Sequence, residues 1–371
     1  MNKPEVIIIG AGPGGLSTAR TLVESGLVNV TLIQREGVAQ FLPGIVPTLL
    51  GLRPVSTYYH ALALSGVNIL KGEVIGLDMG RVHLADGTTL AADALIAAPG
   101  LATDTTAIPT GPQSFSVWEL HGAAQARQAI SSLSSGRLVV AIASLPYRCP
   151  PAPYGLAISL KALFQARGQA IDVVLVTPEE RPLQALGPRA SDFLESLTRT
   201  GHVALETGFQ FDPPASKDGL LVATDGRHLS YDAGLFVPPH TCPTFLKALS
   251  DKGVMVKVDS EQRTVMEKLW VIGDVAGTPL PRAAGVAEAQ GRTAAASVLA
   301  TLGVAEPQQP FIPTPDCYIW TGQEQAARIQ LRLPHGLPPT GKPDVLIDQP
   351  ETVIFEEALN AQERWLEHVQ S

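Results

Sequence analysis

The stretch EVIIIGAGPGGLSTARTLVES, residues 5–25, restricts the possible folds more than any other part of this chain. An unbroken apolar run enters Gly10-x-Gly12-x-x-Gly15, and a helical pattern follows at once. Glycines at these positions permit a tight turn. They also let the backbone approach a pyrophosphate at the helix N-terminus. The next apolar run, VNVTLIQRE, completes strand, turn, helix and strand, which is a βαβ unit built to hold a dinucleotide.

At 371 residues the chain has room for two or three packed units. Apolar residues make up 45% of it and charged residues 17%, enough to bury a sizeable core, and the net charge of −8 argues against nucleic acid or anionic lipid as a main partner. Three cysteines are too few for a disulfide-stapled scaffold and fit a reducing compartment. No basic and apolar leader pattern precedes the first strand, and no window approaches the ~20 apolar residues of a membrane span. The expectation is a cytoplasmic protein with at most peripheral contact with the inner membrane face.

A second alternating block begins after a Thr-, Pro-, Ser- and Ala-rich crossover at 106–135. RLVVAIA reads as a buried strand, YGLAISLKALFQARG as a helix ending at Gly168, IDVVLVT as a strand and ASDFLESLTRTG as a helix. YDAGLFVPP (231–239) echoes ADALIAAPG (92–100), so the chain reads as two similar modules. The expected fold class is therefore α/β, with two Rossmann-like dinucleotide-binding modules and a small C-terminal α+β region. The expected boundaries are 1–105 with 232–305 for the first module, 106–231 for the second and 306–371 for the C-terminal region. LWVIGDVAG supplies one more buried strand, followed by an Ala-rich helix at 283–301. DCYIWTGQEQAARIQLRL reads as two short strands. The last segment ends in one amphipathic helix carrying Phe355, Leu359, Trp365, Leu366 and Val369 on one side. Its other face is acidic, which favours packing on its own protein or a subunit over a membrane surface.

The ribose-binding residue should end the second strand, about 20 residues past the glycines. Gln34 stands there and can bond a ribose hydroxyl, while the neighbouring Arg35 could pair with a 2′-phosphate. The distant motifs separate these readings. Ala98, Pro99 and Gly100 end one strand, and Gly273 and Asp274 end another. With the N-terminal glycines, these motifs in this order resemble the flavoproteins with two dinucleotide domains. That resemblance implies non-covalent FAD held by Gly10, Gly12, Pro13, Gly14 and Gly15, with Gln34, Arg35 and Val74, then Ala98, Pro99 and Gly100. Gly273 and Asp274 complete the set with Arg282, at the pyrimidine end of the flavin. Asp274 alone also reads as a helix N-cap. The second module lacks the glycine loop that nicotinamide-dependent relatives carry; SLPYRCPPAPYG stands in its place.

PYRCPPAPYG, VPPH, IGDVAGTPLPRAAGVAEAQG and DCYIW together resemble the sulfide:quinone oxidoreductases and the flavoprotein subunit of flavocytochrome c sulfide dehydrogenase. The resemblance implies that Cys149 and Cys317 form a redox disulfide beside the flavin. Sulfide attacks a disulfide sulfur, one cysteine holds the new persulfide and the other leaves as thiolate. A position beside Arg148 and ahead of a helix predicts a depressed pKa for Cys149. On this ordering Cys149 faces the flavin and Cys317 takes the sulfur, with the reverse assignment open. The plainer alternative is two reduced thiols packed as small hydrophobes. Cys242 reads as an ordinary cysteine, and His240 as a surface or capping histidine with proton shuttling as its functional alternative. Gly155 stands where the family usually has glutamate, and Arg282 where it commonly has lysine.

The expected function is FAD-dependent oxidation of sulfide or a small persulfide, with electrons passing to a quinone or a redox-protein acceptor. A homodimer is among the expected assemblies. Two alternatives remain: an NAD(P)H-dependent flavin disulfide or sulfur reductase, and a non-turnover flavoprotein serving as a sulfur carrier or assembly partner.

Overall fold

The computed structural model describes residues 2–334 and 343–369. The chain opens with β1 (Glu5–Ile9), α1 (Pro13–Ser25) and β2 (Asn29–Gln34), followed by a short helix α2 (Ile45–Leu50) and β3 (Val67–Lys71). An antiparallel meander spanning 74–91 leads into β4 (Ala94–Ala97). β5 (Ala102–Thr103) then leaves this module, and β6 (Ser114–Ser116) and α3 (Leu120–Ser132) begin the next. That helix was not expected in the crossover. Its apolar side rests on four residues, Leu120, Ala123, Ala126 and Ile130, too small a stripe to stand out among the Ser and Ala around it.

The second module continues with β7 (Ser135–Ile142), α4 (Ala152–Ala166), β8 (Ala170–Val176), α5 (Pro188–Thr200), β9 (Ala204–Glu206) and β10 (Ala233–Val237). β11 (His240–Thr241) returns the chain toward the first module, where β12 (Leu269–Val271) and α6 (Ala284–Thr301) complete it. The C-terminal region is β13 (Asp316–Gly322), β14 (Gln325–Arg332), β15 (Asp344–Glu351), α7 (Thr352–Leu359) and α8 (Ala361–Val369).

Two parallel sheets organise the molecule, in the orders β12-β4-β1-β2-β3 and β6-β10-β7-β8-β9. Each places its first long strand at the centre and steps outward to the next two, with a later strand on the other flank. This is the α/β arrangement of two Rossmann-like modules. The central strands are apolar on both faces, as sheets covered on both sides require. The echo between 92–100 and 231–239 has a physical meaning: β4 and β10 each pair with the opening strand of their own sheet. β10 therefore belongs to the second sheet, and the return crossing falls after Val237, beyond the expected boundary at 231. The two crossing strands, β5 and β11, pair antiparallel with Thr103 opposite His240.

β13 and β14 form a hairpin turned by Gln323 and Glu324, and β15 adds a third strand that was not expected. The expected single terminal helix is two, broken at Asn360. Trp365 is buried with its ring 5.3 Å from Phe41 and 5.5 Å from His60, and Gln362 donates to the Thr57 carbonyl. The chain end thus packs on its own first module; the side chain of Val369 lies outside the described residues. Among the described residues no helix is long and apolar enough to cross a membrane.

Candidate functional site

The glycine turn is built as its sequence requires. Gly10 has φ +102°, and a Cβ there would stand 2.4 Å from the Ala98 carbonyl oxygen. A Cβ on Gly15 would stand 1.9 Å from the Gly10 oxygen. Gly12, by contrast, faces open space, with no atom within 4 Å of where its Cβ would be. That opening, at the N-terminus of a helix whose first residue is Pro13, has the shape and the backbone donors that a pyrophosphate requires. A Cβ on Gly14 would stand 3.1 Å from the Ala287 carbonyl oxygen, so its absence seats α1 closely against α6. Gly100 ends the β4 turn at φ +70° and Gly273 the β12 turn at φ +77°, and Ala98 and Pro99 form the rim between β4 and Gly10.

Gln34 is already engaged within the protein. Its Oε1 accepts from the Ala11 N–H at 3.1 Å and its Nε2 donates to the Val38 carbonyl at 3.1 Å, so the carboxamide stitches the glycine turn to the strand that follows. Arg35 is exposed beside Glu36 at 3.7 Å. Val74 is half-buried in the meander against the first module's core.

Around Cys149 the second site residues converge from both modules. The Cys149 N–H donates to the Arg282 carbonyl at 3.0 Å, and the Cys149 carbonyl accepts from Ala152 at the start of α4. Asp274 lies in a short turn after β12 rather than capping α6, whose N-cap is Ala283. Burial raises the pKa of Asp274 against the opposing pull of Arg148 and Arg282. The Arg282 guanidinium donates to the carbonyls of Thr278 and Leu280 and contacts the Met255 sulfur. Arg148 donates to the Trp118 carbonyl, to Glu119 Oε1 at 2.6 Å and to the Leu101 carbonyl at 3.5 Å, while Trp118 Nε1 donates back to the Arg148 carbonyl at 3.0 Å. Trp118 and Glu119 come from the crossover, where no element was expected.

The expected depressed pKa of Cys149 is reversed. Burial, and secondarily the charge of Asp274, push it up to about 11, and Arg148, turned toward Trp118 and Glu119, offsets this only in part. Cys317 is raised further, first by burial and then by its neighbour Cys149. The fold thus brings together two thiols 168 positions apart, and both are free in the structure. The packing of β13 on α4 does this. A Cβ on Gly155 would stand 2.8 Å from the Trp320 nitrogen, so the strand carrying Cys317 lies directly on the helix that follows Cys149. No room is left there for a side chain at position 155.

His240 is buried, not at the surface, because its strand is the one paired with β5. Neither ring nitrogen has a hydrogen-bond partner among the described residues. Burial first, then Arg148, pull its pKa down to about 3, and the nearby Pro238 carbonyl opposes this weakly without reaching hydrogen-bond geometry. Cys242 is an ordinary buried cysteine of the first module's core. A group missed from the sequence lies behind the cysteine loop. Glu179, 5% exposed, accepts at Oε2 from Tyr154 at 2.6 Å, from Thr177 at 3.2 Å and from Tyr147 at 3.3 Å. Its signal was an acid just past the second strand of a βαβ unit, with tyrosines on both sides of Cys149.

The buried Nε atoms of Arg148 and Arg282 and both nitrogens of His240 have no partner, and Asp274 accepts no side-chain hydrogen bond among the described residues. Together with the open glycine cradle, these groups fit a ligand with a pyrophosphate at one end and a polar ring system at the other. That ligand is FAD.

The chain's relatives agree with this geometry. Residues 4–142 match the family described as pyridine nucleotide-disulphide oxidoreductase. Rhodocoxin reductase of Rhodococcus erythropolis is 30% identical over 302 residues, covering 76% of this chain and 67% of that protein. The ferredoxin reductase component of chlorobenzene dioxygenase from Cupriavidus sp. (strain PS12) is 28% identical over 292 residues, covering 74% and 68%. The fold superposes on the sulfide:quinone oxidoreductase of Aquifex aeolicus with a TM-score of 0.85, at 16% identity, over 99% of this chain and 91% of that one. With its two-sheet fold, its FAD cradle and these relatives, this chain belongs to the pyridine nucleotide-disulphide oxidoreductase family of FAD-dependent oxidoreductases.

Proposed function

We propose that this flavoenzyme oxidises sulfide or a small persulfide at Cys149 and Cys317 and delivers the electrons to a quinone or a redox-protein acceptor. The observation that carries the reading is the convergence of these two cysteines beside Asp274 and Arg282, at the ring end of the FAD site. In this reading FAD is held by residues 1–105 and by the segment from the return crossing to about 305.

Hydrosulfide is itself the nucleophile, so the raised cysteine pKa values do not hinder the first step. It attacks the disulfide at Cys317, whose S–S bond to Cys149 breaks as a persulfide forms on Cys317 and Cys149 leaves as thiolate. Cys149 is the leaving thiolate in this ordering because its backbone is held by the Arg282 carbonyl and its sulfur feels Asp274, which puts it on the flavin side. A second hydrosulfide attacks the outer sulfur of that persulfide, breaking its S–S bond, so that HSS⁻ leaves and Cys317 remains as a thiol. FAD, when bound, supplies the two-electron acceptor that restores the disulfide from the dithiol. Arg282 would place a positive charge at the ring end of the bound cofactor, and His240 stays neutral at physiological pH.

A second reading, an NAD(P)H-dependent reductase, draws on the identity to rhodocoxin reductase and the ferredoxin reductase component. Against it stands the second module. It has no glycine loop, and Glu179, placed where a ribose-binding acid would be, is engaged by Tyr147 and Tyr154.

Anaerobic titration of the yellow holoprotein separates the two readings. Sulfide is expected to bleach the flavin absorbance and NADH to leave it unchanged, with Cys149→Ser abolishing the sulfide response. Bleaching of Cys149→Ser as fast as wild type would overturn the disulfide mechanism.

A further inference from the structure

We propose that Glu179 is a positioning residue for Cys149: its carboxylate takes the hydroxyls of the two tyrosines that bracket the cysteine, in the place where a nicotinamide dinucleotide would present its ribose. The catalytic part of this inference rests on the sulfide reading above; the positioning part stands without it.

β7, α4 and β8 form the βαβ unit of the second module, and Glu179 follows β8 by three residues. In a dinucleotide-binding unit the acid at the end of the second strand bonds ribose hydroxyls. Here Glu179 Oε2 receives protein hydroxyls instead, from Tyr154, Thr177 and Tyr147. Tyr147 precedes Cys149 by two residues and Tyr154 follows it by five. One carboxylate oxygen therefore clamps both ends of the cysteine loop to the second module.

Such a clamp has a physical purpose. Cys149 has φ +53°, a left-handed conformation that a side chain other than glycine occupies only when its surroundings impose it. The imposing contacts come from two sides. The Arg282 carbonyl holds the Cys149 N–H from the first module, and the tyrosines hold the flanks through Glu179 from the second. The single proton of the Tyr147 hydroxyl is shared between Glu179 Oε2 at 3.3 Å and the nearer Pro150 carbonyl at 3.0 Å, which folds the loop back on itself. Release of Glu179 removes one side of this restraint. The loop then relaxes, and Cys149, half-buried in the native arrangement, opens toward solvent.

The test uses reduced holoprotein and iodoacetamide at pH 8, with Cys149 and Cys242 peptides quantified by mass spectrometry. Buried Cys242 is the internal reference. In Glu179→Ala the Cys149-to-Cys242 labelling ratio is expected to rise at least fivefold with FAD retained. Glu179→Gln, which keeps an acceptor oxygen, is expected to fall between Ala and wild type. Sulfide-driven bleaching in Glu179→Ala should slow at least tenfold in its maximal rate. A labelling ratio within twofold of wild type in Glu179→Ala overturns the positioning role. Should that variant lose FAD, Tyr154→Phe decides instead: a threefold rise in the ratio supports the role, and an unchanged ratio overturns it. If labelling responds but wild type is not bleached by sulfide, the positioning role stands and the sulfide reading falls.

Discussion

Gly155 touches Trp320 through its backbone: a Cβ on the glycine would lie 2.8 Å from the Trp320 nitrogen and 3.1 Å from its oxygen. Neither atom is the end of a flexible side chain, so the strand itself must move to admit one carbon. Gly322 repeats the contact from the other side, where a Cβ would meet that of Ala162 at 2.4 Å. These two glycines let β13 settle on α4 and bring Cys317 to Cys149. Gly155→Ala is expected to destabilise the fold by about 1–3 kcal/mol through overpacking. Gly155→Glu should do so more strongly and slow sulfide-driven bleaching rather than enhance it. Chemical denaturation and stopped-flow absorbance check the two parts. A stable, faster Gly155→Glu enzyme would mean that the glycine is not a packing requirement.

The glycine turn separates two kinds of requirement. Gly15 is needed by the fold, because its Cβ would overlap the Gly10 carbonyl, whereas Gly12 borders only open space. Gly12→Ala should therefore leave the apoprotein's stability within about 1 kcal/mol of wild type, the scale of an N-cap change. Its FAD affinity should nevertheless fall at least tenfold. Gly15→Ala should lose stability and cofactor together. Thermal melts of apoprotein beside flavin titrations distinguish these outcomes, and unaltered FAD binding in Gly12→Ala would place the pyrophosphate elsewhere.

What could be read ahead of the structure follows a physical division. Periodicity and glycine spacing report local requirements, so β1, α1, β2, α4 and α5 were each legible, as was the repeated strand that became β4 and β10. The C-terminal strand β15 and the break at Asn360 were not, because both depend on partners distant in sequence. The same holds inside the site. Arg148 stands next to Cys149 in the chain and suggested a stabilised thiolate, yet its guanidinium is directed at Trp118 and Glu119, about 30 positions upstream. Glu179 is not legible in the sequence because an acid after a strand is commonly a surface residue, and only the fold turns tyrosines toward it.

The raised pKa of Cys149 has a direct kinetic signature. Alkylation follows the thiolate, and a thiol pushed up to about 11 holds its proton through the range where an ordinary cysteine, near 8.5, has lost it. In the reduced protein the rate of Cys149 alkylation should keep climbing with pH beyond 10 rather than level off near 9. Peptide-resolved labelling across pH 7–10.5 measures this, and a plateau below pH 9 would restore the depressed-pKa expectation.

His240 makes the last prediction, and its sign follows from where the proton is excluded. The unfolded chain protonates this ring near 6.5 and the folded one only near 3, so the folded state is favoured in full above about pH 6.5. As pH falls toward 3, the unfolded state gains a proton that the folded state refuses, and stability declines by about 1.4 kcal/mol per pH unit. Between pH 7 and pH 5 this one group should remove about 2 kcal/mol. His240→Leu eliminates the titration and should flatten that part of the profile, leaving the losses due to other groups unchanged. Urea unfolding of wild type and variant at both pH values gives the comparison directly. Equal losses in the two proteins would mean that His240 is protonated, or reaches solvent, in the folded state.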